Sequence, residues 1–462
     1  MTLRPEDWGF TTDRDGALRI GGFAAEFLAR RFGTPLHAVD LDRLRERARR
    51  FRTAFESAYP APTSTHYALK CNNTPGIVDA VLGEGLRLEV GTLYEWTLAL
   101  RLGVAPVEIV VNGPFKGELV ETAVSSGAGY IVADGPRDLE LIEAAAGRRG
   151  CQAKILLRVN PDCVPRGMNR ATATGSRKGS VFGFDLRSGE VDAAIRKVAG
   201  APRLVYGGLH AHVGTGIRRP EDYERPIELL VACADRARRA GLPPGVLDLG
   251  GGFGVATSRE FKTSEFLLYQ AIGRLPSPPD AARFPSVERF AEAMSRAVGR
   301  HCARRGLPIP PLLLEPGRAI VSQAGALLLT VGSIKRRRGA TTWVIADGGA
   351  GTVAFPLYYE YHEILLCRAP RAARPSRYTI VGPACFSADW ICRNKRMPPL
   401  EEGDVLAVCD AGAYFTVQES NFGFPRPAIV AIEGGRIREL RRRESFDDMV
   451  LRDAAWECSR VG

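Results

Sequence analysis

His66-Tyr67-Ala68-Leu69-Lys70-Cys71-Asn72 is a short apolar run closed by a lysine, and the chain repeats that unit seven more times. Runs of the same texture lie at 86–90, 108–112, 130–134, 154–159, 204–212, 246–250 and 312–315, with polar, amphipathic stretches between them. Strands covered on both faces need not alternate polar with apolar residues, so continuous apolar strands separated by helical stretches indicate parallel βα units. Eight such units predict a closed (β/α)8 barrel. In that architecture chemistry sits at the C-terminal ends of the strands. The unusual polar and glycine residues fall there: Lys70, Glu89, His210, His212, Gly250, Gly251, Gly252, Glu315 and Arg318.

Beyond Val321 the texture changes to short strands with Gly and Pro turns, expected at 341–346, 378–381, 405–409 and 428–433. The expected organisation is an N-terminal segment, 1–35, joining a β domain at 326–462, with the barrel occupying 36–325. Residues 256–286, rich in Pro and polar side chains, read as an insertion between the seventh strand and its helix.

Composition narrows the function classes. The chain has 462 residues, 45% of them hydrophobic and 25% charged, which is ordinary for a globular protein and leaves room for two domains. The longest clean apolar stretch, 325–334, falls short of the roughly 18 residues of a spanning helix. The first ten residues include Arg4, Glu6 and Asp7 and no apolar signal core, so the expected location is the cytoplasm, with no membrane partner. The 10 cysteines form no CxxC pair, which favours reduced thiols over disulfides or a zinc site. The formal charge of +11 is spread, apart from short clusters at 335–338 and 441–443. It reads as solvated surface rather than a nucleic-acid face, and suits an anionic cofactor or substrate.

Four motifs carry chemistry. Lys70 would project from a rigid strand end, where an amine can be discharged by forming a Schiff base with an aldehyde; a solvent-facing lysine is the plain alternative. In Leu247-Asp248-Leu249-Gly250-Gly251-Gly252-Phe253-Gly254 the glycines stand where a strand turns toward a helix and let backbone N–H groups approach a phosphate. Their spacing matches neither a Walker loop nor a GxGxxG turn, which leaves a monophosphate, or simple steric need. Glu315-Pro316-Gly317-Arg318 places an acid and a base at one strand end, either as an internal ion pair or with the acid beneath a pyridine nitrogen. His210 and His212 share one side of a strand; lacking a third matching ligand, they suggest an imidazole against a planar ring rather than a metal site.

Together with Gly382-Pro383-Ala384-Cys385 and Asp410-Ala411-Gly412-Ala413-Tyr414, these ordered motifs resemble the fold-type III pyridoxal-phosphate-dependent decarboxylases, which include the diaminopimelate, ornithine and arginine decarboxylases. The resemblance spans about residues 30–430. It implies an alanine-racemase-like barrel with a C-terminal β domain, pyridoxal 5'-phosphate as cofactor, and decarboxylation of an amino acid to an amine. Residue by residue, Lys70 resembles the Schiff-base lysine, His212 the imidazole stacked on the cofactor, Glu315 the pyridinium partner and Glu89 a support beside ring or lysine. Thr215, Gly251, Gly252, Arg318 and Tyr414 resemble contacts to phosphate or substrate carboxylate. Cys385 resembles the thiol that a partner subunit contributes to protonate the carbanionic carbon, implying a homodimer with shared sites.

The substrate end departs from the family pattern. Diaminopimelate decarboxylases carry Glu after the motif cysteine and ornithine decarboxylases Asp; this chain has Phe386. Phe355 stands where the diaminopimelate enzymes place a distal arginine. A charged distal head without partners is costly to desolvate, so the expectation is a specialised substrate, with modified and carrier-bound amino acids among the candidates. The alternatives are diaminopimelate or a basic amino acid read by Glu360 or Asp389, with Tyr359 and the phenylalanines enclosing the far end. An amino-acid racemase is a rival, opposed by Glu315 and Cys385. A catalytically inactive regulator is another, opposed by retention of the lysine, cysteine and phosphate motifs.

Overall fold

Eight parallel strands close on one another in the unit formed by Arg45–Ala256 and Ala282–Ile320. They are β1 (Thr63–Ala68), β2 (Arg87–Val90), β3 (Ile109–Val111), β4 (Tyr130–Ala133), β5 (Ala153–Asn160), β6 (Leu204–His210), β7 (Val246–Asp248) and β8 (Leu312–Leu314). Each pairs with its neighbours in sequence, and β8 returns to β1, so the barrel has no open edge. This computed structural model describes residues 3–453 except 115, 172, 340, 354 and 355. Among the described residues no helix is long and apolar enough to cross a membrane.

Local sequence explains how each strand hands over to its helix. Thr92 ends the loop after β2 and its Oγ1 accepts the Glu95 N–H at 3.1 Å, capping the helix Leu93–Arg101. Pro75 and Pro136 open the helices Pro75–Leu82 and Pro136–Arg149, where a missing N–H costs nothing. Val110, Val132, Leu156, Val246 and Leu313 meet inside the barrel as one apolar cluster. The interior is therefore packed, and the polar groups collect above it.

Six of the eight strands end earlier than the sequence suggested, β1, β6 and β7 by two residues. β1 stops at Ala68, and Leu69–Cys71 form a 3-10 turn that carries Lys70. The Ala68 N–H bonds the Pro316 carbonyl at 3.2 Å, and a Cβ at Gly317 would lie 2.7 Å from Cys71 Cβ, so this turn is clasped against the loop after β8. β6 likewise stops at His210, leaving His212 in the following loop.

The second unit comprises Met1–Leu44, Thr257–Ala281 and Val321–Gly462. Its central strand, Gly325–Lys335, is the long apolar run of the sequence. It pairs with Leu36–Asp40, Thr342–Ala346 and Val405–Cys409. Successive side chains point to opposite faces. Ala326 and Leu328 enter one core cluster, and Leu327, Leu329 and Val331 enter another. Both faces are buried, which is why this strand reads as continuously apolar without being a membrane span.

The N-terminal strand Leu36–Asp40 also pairs in parallel with Ala428–Glu433, so residues from both ends of the sequence complete one sheet. Residues 257–281 belong to this unit too. Arg259–Glu260 pair antiparallel with Glu360–Tyr361, while Phe261 and Tyr269 bury their rings in the first of the two clusters. Arg393 donates to the carbonyls of Tyr269 and Gln270 at 3.0 and 2.7 Å and holds the helix Thr263–Ile272 in place.

Candidate active site

The barrel brings together most of the residues marked in the sequence. Lys70 Nζ lies 2.5 Å from Glu89 Oε2; the lysine side chain is half exposed and the carboxylate is buried. Glu315 sits directly after β8 and is buried. It accepts from Asn112 Nδ2 at 3.3 Å and lies 3.3 Å from His210 Nε2. His212 Nδ1 accepts the Gly251 N–H at 3.1 Å, which fixes the ring's tautomer with its other nitrogen protonated. That amide, expected to face a phosphate, is therefore already engaged with the imidazole.

Asn112, Asp134 and Arg158 were not marked in the sequence, yet they form part of the same floor. Arg158 and Asp134 make a buried ion pair at 2.9 Å, and the guanidinium lies 4.2 Å from the centre of the Phe182 ring. The signal was present in Leu156-Leu157-Arg158-Val159-Asn160, where an arginine interrupts an apolar strand.

Burial sets the charges. It pushes Glu89 up to about 7, with Lys70 pulling the other way and Glu315 adding to the rise. His212 is pushed down to about 3 by burial, with Lys70 and Arg158 adding to the effect, so its ring is neutral. Glu315 is pulled well below the usual carboxylate range: burial opposes its charge, but His210 and Lys70 outweigh that cost. Burial also drives the proton off His210. The assignment that satisfies both groups is a neutral imidazole donating from Nε2 to an anionic Glu315.

Thr215 and Gly252 lie in the loops after β6 and β7, and Arg318 opens the short helix Arg318–Val321 after β8. A Cβ at Gly251 would stand 2.1 Å from the Glu315 carbonyl oxygen, and one at Gly252 2.2 Å from that of Gly214. Both positions admit only glycine, and Gly252 also has φ 87.

The remaining marked residues belong to the β unit. Cys385 and Phe386 are exposed, and the Phe386 ring meets Phe422 edge-on with centroids 5.6 Å apart. Asp389 is buried and accepts the N–H groups of Ala350 at 2.5 Å and Ala384 at 2.8 Å, so its carboxylate clasps the cysteine loop. Glu360 is buried 3.2 Å from His362 Nε2. Both acids already have partners within the β unit. Tyr359 ends the helix Pro356–Tyr359. Phe355 lies outside the described residues.

Asp410 and Tyr414 both have left-handed backbones, at φ 61 and φ 65. Such strain persists where surroundings enforce it. Here Asp410 is held by Trp8 Nε1 at 2.7 Å, Thr257 Oγ1 at 2.8 Å and Ser322 Oγ at 3.1 Å.

These residues fit pyridoxal phosphate. Within the barrel there is an accessible amine at Lys70, an anionic acid at Glu315 for a protonated ring nitrogen, a neutral imidazole at His212, and a glycine turn beside Thr215 for a phosphate.

Comparison with known proteins agrees. Residues 41–322 match the family model described as the pyridoxal-binding domain of pyridoxal-dependent decarboxylases. The diaminopimelate decarboxylase of Bacillus subtilis is 32% identical over 445 residues, covering 96% of each chain. That of Actinosynnema pretiosum is 34% identical over 448 residues, 95% of this chain and 93% of the relative. Among solved structures, the M. jannaschii diaminopimelate decarboxylase in complex with L-lysine superposes with a TM-score of 0.82 at 26% identity, covering 96% of this chain and 97% of that one.

Proposed function

The chain belongs to the pyridoxal-dependent decarboxylases and is a carboxy-lyase that uses pyridoxal 5'-phosphate, and from that premise we propose that it removes the α-carboxylate of diaminopimelate or a closely similar amino acid. The observation that carries the catalytic part is the Lys70, Glu89 and Glu315 constellation at the barrel strand ends. The substrate part rests on curated relatives named diaminopimelate decarboxylase at 32% and 34% identity over nearly the whole chain.

When bound, the cofactor supplies an electron sink for the pair left behind by carbon dioxide. Lys70 Nζ is the amine that would hold the cofactor. Glu89, at about 7 and 2.5 Å away, holds or takes up a proton at Nζ near neutral pH. Glu315 stays anionic and would keep the ring nitrogen of the bound cofactor protonated. His212 presents a neutral ring of fixed tautomer, since its Nδ1 is committed to Gly251. Cys385 returns a proton to the α-carbon in a head-to-tail homodimer, each subunit's thiol serving its partner's site. Thr215, Gly252, Arg318 and Tyr414 bind the phosphate or the substrate carboxylate.

Phe386 supports a second substrate reading, a modified or carrier-linked amino acid with an apolar far end. It is 46% exposed against Phe422, where an ionic contact to a second amino-acid head would be needed. A screen for carbon dioxide release decides between them. Meso-diaminopimelate as the best substrate by a wide margin supports the first reading; little turnover of it beside a modified or apolar substrate overturns that reading in favour of the second. Racemisation without carbon dioxide release would sink both.

A further inference from the structure

Two carboxyl groups share the barrel floor with one imidazole. A ligand atom from each of His210, Asp248 and Glu315 lies within 4.8 Å of the others, and all three residues are buried. β6 and β7 are adjacent strands in which His210 sits opposite Asp248, and Glu315 follows β8 on the far side of β7. The pairing of β7 with β8 therefore brings the two acids together.

Their hydrogen bonds are unequal. Glu315 is approached by Asn112 Nδ2 and His210 Nε2, each at 3.3 Å, and its charge is further favoured by Lys70. Asp248 Oδ1 accepts one N–H, from Gly250 at 2.8 Å, while Oδ2 is buried with no hydrogen-bond partner. Two adjacent carboxylates out of water cannot both be ionised, and the proton goes to the one with fewer donors. Lys70, Glu89, Glu95, Asp134, Arg158, His66 and His212 are titratable neighbours of this pair or of the groups that face it, and Lys70 and Arg158 favour the charge on Glu315.

We propose that Asp248 is a neutral carboxylic acid whose Oδ2–H is donated toward Glu315, making it a positioning residue that holds the Glu315 carboxylate anionic and in place. Burial first, and the neighbouring charge of Glu315 second, push the Asp248 carboxyl well above its usual range, against the single N–H from Gly250. The motif Leu247-Asp248-Leu249-Gly250 thus has a function besides shaping the glycine turn. The same three ligand types would suit a divalent cation, but that requires both acids to be ionised, and the two states are separable by experiment.

The consequence for the cofactor rests on Glu315 being the acid beneath the ring; the protonation of Asp248 does not, so it is measured in cofactor-free protein. Infrared difference spectra of wild type against Asp248→Asn should show loss of the carbonyl stretch of a protonated acid at neutral pH. In the reconstituted enzyme, Asp248→Asn, which keeps a neutral donor, should retain cofactor affinity within about threefold. Asp248→Ala should weaken it about tenfold or more, the effect of losing a hydrogen bond to a buried charge. It should also shift the pH at which the bound cofactor's absorption changes, a shift that Asp248→Asn largely reverses. No protonated-acid band assignable to Asp248 overturns the proposal. So does an Asn variant that folds but binds cofactor as poorly as Ala. A metal that binds cofactor-free wild type stoichiometrically, and is lost with Asn, also overturns it. A band that is present while cofactor affinity is unchanged in both variants would refute only the positioning of Glu315.

Discussion

The barrel mouth and the cysteine loop of the β unit solve opposite problems. At the mouth, Glu89, His210, His212 and Glu315 are each fixed by a neighbouring side chain or backbone N–H, and burial decides which of them carries a proton. In the loop, the backbone is clasped by Asp389, while Cys385 and Phe386 extend into solvent. Chemistry common to every substrate of a family needs set charges, and a strand-end scaffold provides them. Recognition of a particular substrate is better placed on an exposed loop that tolerates exchange.

The largest effect should come from the mouth. Lys70→Ala is expected to lower kcat by about 10³-fold or more, since it removes the covalent anchor. Borohydride treatment of wild type should fix the cofactor to the peptide carrying Lys70. Recovery of the label on another lysine would overturn the site.

Next comes the loop. Cys385→Ala should cost about 10²-fold in kcat, the range of a positioned proton donor, with cofactor binding retained. Mixed with Lys70→Ala chains, it should regain part of the lost activity, because a hybrid dimer contains one intact site. Demonstrated subunit exchange without recovery would exclude shared sites. A smaller change is expected from Phe386→Glu, which places a carboxylate at the far end of the substrate. If the loop reads that end, the variant should lower KM for substrates with a distal ammonium by about tenfold, with kcat little changed. Equal effects on all substrates would move recognition elsewhere.

The same contrast explains what could be read in advance. The barrel was legible because its strands are buried on both faces and its glycines and charged residues interrupt apolar runs at their ends. Lys70 and His212 were placed in strands but sit just beyond them, since the clasp of Ala68 to Pro316 depends on a residue almost 250 positions away. The partnership of Asn112, Arg158 and Asp134 was hidden for the same reason: pairing between strands, not local pattern, brings together Arg158 on β5 and the residues that follow β3 and β4. The insertion gave least away. Its two-residue strand takes its partner from Glu360–Tyr361, a pairing no local pattern encodes.

The smallest predicted effect concerns His66, inside the barrel wall on β1. Its ring is buried, with Nε2 2.9 Å from Ser64 Oγ and Nδ1 3.3 Å from the Leu88 carbonyl, and burial pushes it down to about 4 from an ordinary 6.5. The carbonyl is an acceptor, so Nδ1 carries the proton and the ring is neutral in the folded protein. The unfolded chain begins to take up a proton near pH 6.5, whereas the folded chain does so only near 4. A depressed histidine therefore favours folding above pH 6.5, and this contribution is lost as pH falls toward 4. Buried acids pushed up, such as Glu89 and Asp248, have the opposite dependence and those pulled down, such as Glu315, the same one, so the comparison is made against His66→Gln, which keeps a donor and an acceptor but does not titrate. The variant should be somewhat less stable than wild type at pH 7. Between pH 7 and 5 its unfolding free energy should fall by about 1–2 kcal/mol less than that of wild type, as a one-site shift of this size requires. Urea unfolding of the cofactor-free proteins at the two pH values measures the difference directly. Parallel losses would mean that His66 is protonated in the folded barrel and that its wall is wetter than the burial of these side chains implies.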